Sequence, residues 1–327
     1  MSLYDGVREL PLRVEEYALE PLEREVARGF TLKRTVVVLH GDGHEGRGEE
    51  VDYDPHAHDR FRARQSELPL VGTHTLDSYS VLQSGQTDYR RWALESAALD
   101  LALRQAGLSL AEAVGREAKQ LTYVVSMRGA NVDAWLELYP ELRFKLDPDS
   151  EWGDELIDRL AATGRVDTLD FKGVYRGDFG FPPDAALYRT IAAAFPEAWL
   201  EDPALTAETS AALSDARDRI TWDAAIHEWS DVEALPFAPR QLNCKPSRFG
   251  SVRRLFDFYD RCAEAGIGLY GGGQFELGPG RMQIQLLASL FHPDAPNDVA
   301  PAGFNVTAPV AGLPPSPLAV DGSRPGF

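Results

Sequence analysis

Apolar and polar positions follow different patterns in successive parts of the chain. Residues 9–53 combine strand-like runs with glycine-rich turns, and TVVVLHGDGHEGRGEEV predicts a strand, a turn and a polar strand that follows. Residues 89–115 instead repeat apolar side chains at helical spacing from Trp92 to Leu103, and Gly107 fits a helix C-terminus. The first third of the chain therefore predicts antiparallel strands followed by a long helix.

Short apolar segments alternate with helical patterns from residue 121 onward. The predicted strands are residues 121–127, 142–147, 166–171, 198–202, 219–224, 241–246 and 266–273. Helical stretches at 152–164 and 250–266 place apolar residues on one face and end in glycine. Strands that alternate with helices form parallel βαβ units, and seven or eight such units predict a barrel rather than an open sheet.

Composition narrows the classes of function. The chain has 327 residues, 44% of them hydrophobic, which allows a large core. A formal net charge of −18 argues against nucleic acid and anionic membranes as partners, because both attract basic surfaces. The two cysteines imply no disulfide framework, and the sequence shows neither a secretory signal pattern nor an apolar run of membrane-spanning length. We therefore expect a cytoplasmic protein.

Charged side chains occur where successive barrel strands end. The last polar residues of five predicted strands are Lys145, Asp170, Glu201, Asp223 and Lys245. They are 22 to 31 residues apart, about one βα unit, so all five are expected at the C-terminal face of the barrel, where barrel active sites lie. Three neighbouring carboxylates are suited to Mg²⁺, with a lysine on each flank. A metal bound to a substrate carboxylate stabilises the charge that develops when the adjacent carbon loses a proton.

Several segments resemble the enolase superfamily, specifically its muconate-lactonizing subgroup of muconate cycloisomerases, o-succinylbenzoate synthases, N-acylamino acid racemases and dipeptide epimerases. GDGHEGRGEE is similar to the hairpin of the family's capping domain, and WALESAALDLALRQAGLSLAEAVG is similar to the helix that joins cap to barrel. RFKLDP resembles the second-strand K-x-K motif, with Arg143 in the first lysine's place and Lys145 in the catalytic one. GGGQFELGPGRMQIQLLA resembles the seventh-strand segment, with Glu276 at a recurrent acidic position.

The resemblance implies a fold and a domain plan. It implies a modified TIM barrel, (β/α)7β, with an α+β cap formed by both ends of the chain. We expect the cap at residues 1–118, the barrel at 119–298 and a C-terminal segment at 299–327 that returns to the cap. Residues 27–34, ARGFTLKR, are expected to form a mobile cap loop over the site. We also expect a homo-oligomer.

The resemblance assigns roles to the residues at the strand ends. Asp170 in LDFKG, Glu201 in LEDP and Asp223 in TWDAA fall where the family has its three ligands for Mg²⁺, for which Mn²⁺ is a substitute. Lys145 and Lys245, the latter in LNCKPSRFG, fall at the positions of the two catalytic lysines. Asp202, beside Glu201, is expected to brace the following loop.

Three departures from the family pattern surround this site. Lys172 replaces the Asn of the third-strand Asp-x-Asn pattern, and Ala224 replaces the Glu of the fifth-strand Asp-Glu pattern. Arg143 keeps a positive charge beside Lys145. We expect Lys172 to place a third cation near the metal and to alter its affinity or the orientation of the substrate, with Arg143 and Glu276 also near the substrate.

The sequence therefore predicts a Mg²⁺-dependent enzyme acting on a small carboxylate. Two opposed lysines permit racemisation or epimerisation of the metal-stabilised ene-diolate, and a suitable leaving group would lead instead to elimination or cycloisomerisation. Two alternatives stay open. Lys172 and Ala224 favour a barrel that binds without turnover, whereas an acid-sugar dehydratase would need a histidine that GIGLYGGGQFE does not offer.

Overall fold

A computed structural model describes residues 2–27, 30–129, 131–175, 180–306 and 308–327. The N-terminal part holds a two-stranded and a three-stranded antiparallel sheet. Its strands are β1 (Pro11–Val14), β2 (Glu16–Ala27), β3 (Phe30–Gly41), β4 (His44–Glu50) and β5 (Gly72–Thr75). Its helices are α1 (Pro55–Ala63), α2 (Leu76–Leu82), α3 (Asp88–Ala106) and α4 (Leu110–Ala113). Residues 28 and 29 of the predicted cap loop at 27–34 lie outside the described residues. Residue 27 belongs to β2 and residues 30–34 belong to β3, so the loop prediction is wrong for these positions.

The predicted hairpin is confirmed, and its glycines bring α3 close to it. Strands β3 and β4 are joined by Asp42 and Gly43, both in the left-handed region with φ of 50° and 75°. A Cβ atom at Gly46 would lie 2.3 Å from the Ala97 carbonyl oxygen, so this position of β4 admits no larger side chain. The spacing of glycines in GHEGRGEE thus lets the long helix pack directly on the strand.

All seven predicted barrel strands are confirmed, although each is shorter than its apolar segment. They are β6 (Val125–Met127), β7 (Phe144–Leu146), β8 (Val166–Asp170), β9 (Trp199–Glu201), β10 (Ile220–Thr221), β11 (Gln241–Cys244) and β12 (Gly268–Gly271). The helices around them are α5 (Val132–Leu138), α6 (Asp154–Ala162), α7 (Ala185–Ala194), α8 (Ala207–Ala212), α9 (Trp229–Glu233), α10 (Val252–Ala265) and α11 (Pro279–Phe291). The strands are parallel, in the orders β6-β7-β8-β9-β10 and β11-β12.

Hydrogen bonds between these two groups of strands close the ring. The Asn243 amide donates to the Trp222 carbonyl at 3.0 Å and joins β11 to the end of β10. On the other side, Asp298 forms a parallel bridge with Gly272, and Asn297 forms one with Tyr123, so residues 297 and 298 provide the eighth, short strand. The architecture is the modified (β/α)7β barrel predicted from the sequence.

The Asn297 side chain holds this closure together. Its Oδ1 accepts hydrogen bonds from the Gly271 amide and from His292 Nδ1, each at 2.6 Å, while its Nδ2 donates to the Thr122 carbonyl at 2.9 Å. His292 therefore donates through Nδ1, and its Nε2 is buried with no hydrogen-bond partner among the described residues. Burial lowers the pKa of His292 to about 4.

The first and last parts of the chain contact the barrel at defined points. Both Glu49 carboxylate oxygens cap the start of α11, accepting from the amides of Leu277 at 2.6 Å and Gly278 at 2.9 Å. At the C-terminus, the Phe327 amide donates to Asp100 on α3 at 2.8 Å, and Leu318 pairs with Leu121 next to the barrel. The domain boundaries at 118 and 298 remain predictions. Within the described ranges, no helix combines the length and apolarity needed to cross a membrane.

His292 generates a pH prediction. Its pKa is about 4 in the folded state and about 6.5 in the unfolded state, so between these values the unfolded chain binds the extra proton. The contribution of His292 to the free energy of unfolding should therefore fall as the pH drops through this window, by about 2 kcal/mol at about pH 5. The buried acids Glu201 and Asp202 titrate in the same range with the opposite sign, so the measurement is the difference between the wild type and His292→Asn, which keeps a donor toward Asn297. Urea denaturation of both proteins at about pH 7 and pH 5 should show the wild type losing about 2 kcal/mol relative to His292→Asn, and an equal change in both proteins would contradict the assignment.

Candidate active site

The strand ends converge on one cavity of about 580 Å³. Register places Asp170 directly opposite Glu201, and Leu146 opposite Leu169, so Asp147 follows β7 at the level of Asp170. Lys145, Asp170, Glu201 and Asp223 are all at most 1% exposed. The parallel strands thus bring the predicted residues to one end of the barrel, as their spacing in the sequence implied.

Asp170 is held by Lys172 from the same strand end. Lys172 adopts a left-handed backbone with φ of 53°, and its amide donates to Asp170 Oδ1 at 3.0 Å. Its ammonium group contacts Asp170 Oδ2 and lies 3.5 Å from Asp147 Oδ1. A positive φ is uncommon for lysine, and here it accompanies contacts of both the amide and the ammonium group with Asp170.

Glu201 accepts hydrogen bonds from three side chains. Lys145 Nζ lies 2.5 Å from Glu201 Oε1, the Tyr270 hydroxyl lies 2.5 Å from Oε2, and Asn243 Nδ2 lies 3.4 Å from Oε1. Lys145 Nζ is also 3.3 Å from Asp170 Oδ2, so its ammonium group lies between the two acids. Burial, reinforced by the neighbouring acids and opposed by Lys145, raises the pKa of Glu201 to about 8.

Asp202 connects the ends of β9 and β10. It adopts a left-handed backbone with φ of 48°, and its two carboxylate oxygens accept from the amides of Asp223 and Ala224, each at 2.9 Å. Asp202 thus braces the end of the neighbouring strand β10, whereas the prediction placed its contacts in the loop that directly follows Glu201. Burial, together with the neighbouring Asp223 and Asp170, raises the pKa of Asp202 to about 7.

Asp223 is surrounded by cations. Its Oδ2 lies 2.8 Å from Lys245 Nζ and accepts from the Tyr175 hydroxyl at 2.9 Å, while its Oδ1 accepts from Arg248 Nη1 at 2.7 Å. Burial alone would raise the pKa of Asp223, but the Arg248 and Lys245 charges outweigh it and hold the pKa below its usual range. Asp223 is therefore ionised and fixed by three side chains.

Arg143 binds away from the cavity, whereas Glu276 contacts two residues of the cavity wall, Gln274 and Arg281. Arg143 Nε donates to Asp167 Oδ2 at 2.6 Å, and its side chain is 38% exposed. Glu276 Oε1 accepts from the Gln274 amide at 2.8 Å, and its Oε2 lies 3.6 Å from Arg281 Nη2. Neither is among the described residues that line the cavity, whereas Lys145, Lys172 and Lys245 are.

Sequence reasoning missed several residues that contact this site. Asp147 lies two residues beyond Lys145, so strand alternation was a usable signal for its position on the same face. Arg248 lies three residues after Lys245, in a single-turn helix within KPSRF. Nothing in the spacing of the sequence indicated that its side chain would contact Asp223. Tyr270 lies in the glycine-rich segment GIGLYGGG, and nothing in that segment indicated that its hydroxyl group would contact Glu201.

The cavity wall is cationic and aromatic. Its positively charged lining residues are Arg128, Lys145, Lys172, Lys245, Arg248 and Arg281. Two acidic residues, Asp147 and Asp298, and the rings of Tyr53, Tyr89, Tyr175, Phe181 and Phe275 complete most of the wall. Four of these six cations are ion-paired with the buried acids Asp170, Glu201 and Asp223, so the positive charge of the wall is largely compensated from behind. The remaining Arg128 and Arg281 and the aromatic rings are suited to a small molecule with an anionic group.

The acids behind this wall fit a divalent metal ion. Asp170, Glu201 and Asp202 each offer an oxygen within 4.8 Å of the other two, and all three are buried. Carboxylate oxygens are the ligands that Mg²⁺ prefers. Burial and then the neighbouring acids raise the pKa values of Glu201 and Asp202, and a cation bound between them would favour their charged forms. Asp223, the third predicted ligand, is not part of this group among the described residues, and its oxygens contact Lys245, Tyr175 and Arg248 instead.

Comparison with known proteins agrees with this architecture. Residues 117–306 match the family described as "Domain of unknown function (DUF8230) C-terminal domain", and residues 5–113 match the corresponding N-terminal domain. Curated proteins gave no match.

Solved structures give the fold. The chain is similar to a dipeptide epimerase from Methylococcus capsulatus complexed with a Mg ion, at 19% identity and a TM-score of 0.74, covering 96% of this chain and 98% of that one. It is also similar to the muconate lactonizing enzyme from Pseudomonas fluorescens complexed with muconolactone, at 18% identity, a TM-score of 0.72, and coverage of 96% and 95%. An enolase-superfamily member from Listeria innocua matches at 20% identity and a TM-score of 0.67, with coverage of 89% and 85%. The chain belongs to the DUF8230 family and has the fold of the enolase superfamily.

Proposed function

We propose that this protein is an isomerase or lyase that removes the α-proton of a small carboxylate with the help of Mg²⁺. The observation that carries the proposal is the joint placement of buried carboxylates and lysines from two flanks around a single cavity. Lys145 comes from β7 and Lys245 follows β11, with the predicted metal ligands on the strands between them. A carboxylate held among these groups would present its α-carbon to both lysines.

The residues take the following roles. Asp170 and Glu201 would hold the divalent ion, and the third ligand would be Asp202 from the same buried group or Asp223, which the family resemblance implies. The ion would supply positive charge to the substrate carboxylate as its α-carbon loses a proton. One lysine, as the amine, accepts that proton, and the other, as the ammonium, delivers a proton to the opposite face of the same carbon. The configuration is thereby inverted, which is racemisation or epimerisation. If the substrate carries a leaving group or an internal electrophile, the same ene-diolate eliminates or cycloisomerises.

Deuterium exchange tests the lysines directly. Incubation in D₂O with N-acyl amino acids, dipeptides and acid sugars should exchange the α-proton of at least one substrate, and only with Mg²⁺ present. Lys245→Ala and Lys145→Ala should each reduce the rate by about 10² to 10⁴-fold, the usual contribution of a positioned acid or base. Exchange is measured by NMR or mass spectrometry.

The matched control for this experiment is Lys119→Ala, because Lys119 has an exposed side chain outside the cavity. It should exchange at the wild-type rate. Exchange that persists at full rate in both Lys145→Ala and Lys245→Ala would contradict the assigned chemistry.

Metal binding is expected to stabilise the fold through the acids. Mg²⁺ at about 100 times its Kd should add about 2.7 kcal/mol to the free energy of unfolding and raise the Tm. Asp170→Asn should lose most of this gain, because it removes one carboxylate from the group. Asp158→Asn, at an exposed acid on α6, should keep all of it. A Tm that rises equally in all three proteins would place the ion elsewhere, and the readout is thermal denaturation with and without Mg²⁺.

One observation favours a second candidate, a carboxylate-binding protein without turnover. Asp170, Glu201 and Asp223 already contact a lysine each, and Ala224 supplies no carboxylate beside them. Such a protein would gain stability from a carboxylate ligand yet exchange no α-proton with any member of the panel. The deuterium experiment therefore separates the two candidates.

A further inference from the structure

Lys172 has two carboxylate partners, one of which belongs to the predicted metal site. We propose that Lys172 is a resident counter-cation, which competes with the divalent ion for Asp170 and moves to Asp147 when the ion binds. This inference rests on the metal site of the proposed function. It concerns how that site exchanges one cation for another, and it names Asp147 as a positioning residue for Lys172.

The first part of the argument is occupancy. The Lys172 amide donates to Asp170 Oδ1 at 3.0 Å, and its ammonium group contacts Asp170 Oδ2, so a single residue engages both oxygens. A divalent ion that binds Asp170 needs at least one of these oxygens at its own short bonding distance. Lys145 Nζ already lies 3.3 Å from the same Asp170 Oδ2, so a divalent ion would add a third cation there. The repulsion favours the departure of Lys172, whose side chain is the more exposed of the two lysines.

The second part is the destination. Asp147 Oδ1 lies 3.5 Å from Lys172 Nζ, and it is buried without a hydrogen bond from any described residue. A buried acceptor that lacks a hydrogen bond lowers the stability of the fold, so Asp147 Oδ1 would gain from accepting the ammonium group at hydrogen-bond distance. Parallel pairing of β7 and β8 places Asp147 beside Asp170, so the required shift is short.

The third part is room to move. The side chains of Lys172 and Asp147 are 21% and 16% exposed, and both line the cavity, whereas the side chain of Lys145 is 2% exposed. Lys172 also lies over the Tyr175 ring, with Nζ 5.3 Å from its centroid, which supports a cation on the cavity side of the acids. A rotation of the lysine side chain therefore carries its charge from one acid to the other without leaving the cavity.

Calorimetric titration of the full chain with Mg²⁺ tests the exchange. Lys172→Asn removes the ammonium group that competes with Mg²⁺, so the Kd of this variant for Mg²⁺ should fall by at least about tenfold relative to the wild type. Asp147→Asn removes the destination, so its Kd should rise by a similar factor. Lys33→Asn is the control, because Lys33 is an ion-paired lysine of the cap, 3.5 Å from Glu23 and 3.4 Å from Asp59, and its Kd should stay unchanged.

A double variant that combines Lys172→Asn with Asp147→Asn separates movement of the Lys172 side chain from a simple effect of the Asp147 charge. If Asp147 acts only through its charge, Asp147→Asn should weaken Mg²⁺ binding by the same factor with and without Lys172. If Asp147 acts as the destination, its substitution should change the Kd less than about twofold in the Lys172→Asn background. Equal factors in both backgrounds would overturn the proposal, as would an equal Kd for the wild type and Lys172→Asn.

The outcomes also separate this inference from the proposed function. If Mg²⁺ binds the wild type and Lys172→Asn with the same Kd but does not bind Asp170→Asn, the exchange is overturned and the metal site is still supported. Mg²⁺ that binds neither protein overturns both. Lys172→Arg keeps the charge and should retain the weak wild-type binding. If Lys172→Asn does not fold, which its Tm without metal reports, Lys172→Met takes its place with the same expected fall in Kd.

Discussion

Four carboxylates are buried at the ends of three neighbouring strands, namely Asp170, Glu201, Asp202 and Asp223. Buried carboxylates repel one another and lose their hydration, so each needs a cation or several hydrogen bonds to remain. Each acid has such a partner in this structure. Asp170, Glu201 and Asp223 contact lysine ammonium groups, and Asp202 accepts hydrogen bonds from two backbone amides. Two of the residues that take part in this compensation, Lys172 and Asp202, have positive φ angles of 53° and 48°.

The surrounding fold keeps the compensated acids in place. Asp202 fixes the amide of Asp223, and Asn297 joins β12 to the segment before β6 where the ring closes. Glu49 on β4 caps the helix that follows β12, so the N-terminal sheet is attached next to the cavity. Groups whose relative positions have to be fixed to within about 0.5 Å are thus placed on strands or within three residues of a strand end, rather than on long loops.

Strand alternation and spacing were sufficient to predict the barrel, because a parallel strand places its last polar residue at the same face whatever the loop that follows. That rule located Asp170, Glu201 and Asp223 and the two flanking lysines. It could not locate partners that depend on side-chain reach. Arg248 returns to Asp223 from a single-turn helix, and Lys172 folds back on its own strand, and both conformations follow from the charge of the acids rather than from sequence periodicity.

The two lysines assigned to acid–base chemistry differ in what their removal does to the acids. Lys145 lies between Glu201 and Asp170, so its loss leaves Glu201 without its ammonium partner, and breaking a buried ion pair costs about 3–5 kcal/mol. Asp223 keeps Arg248 when Lys245 is removed. A lost reaction in a Lys145 variant thus has two physical origins, damage to the metal site and loss of a proton-transfer group. Lys245 isolates the second, which makes it the stricter test of the chemistry.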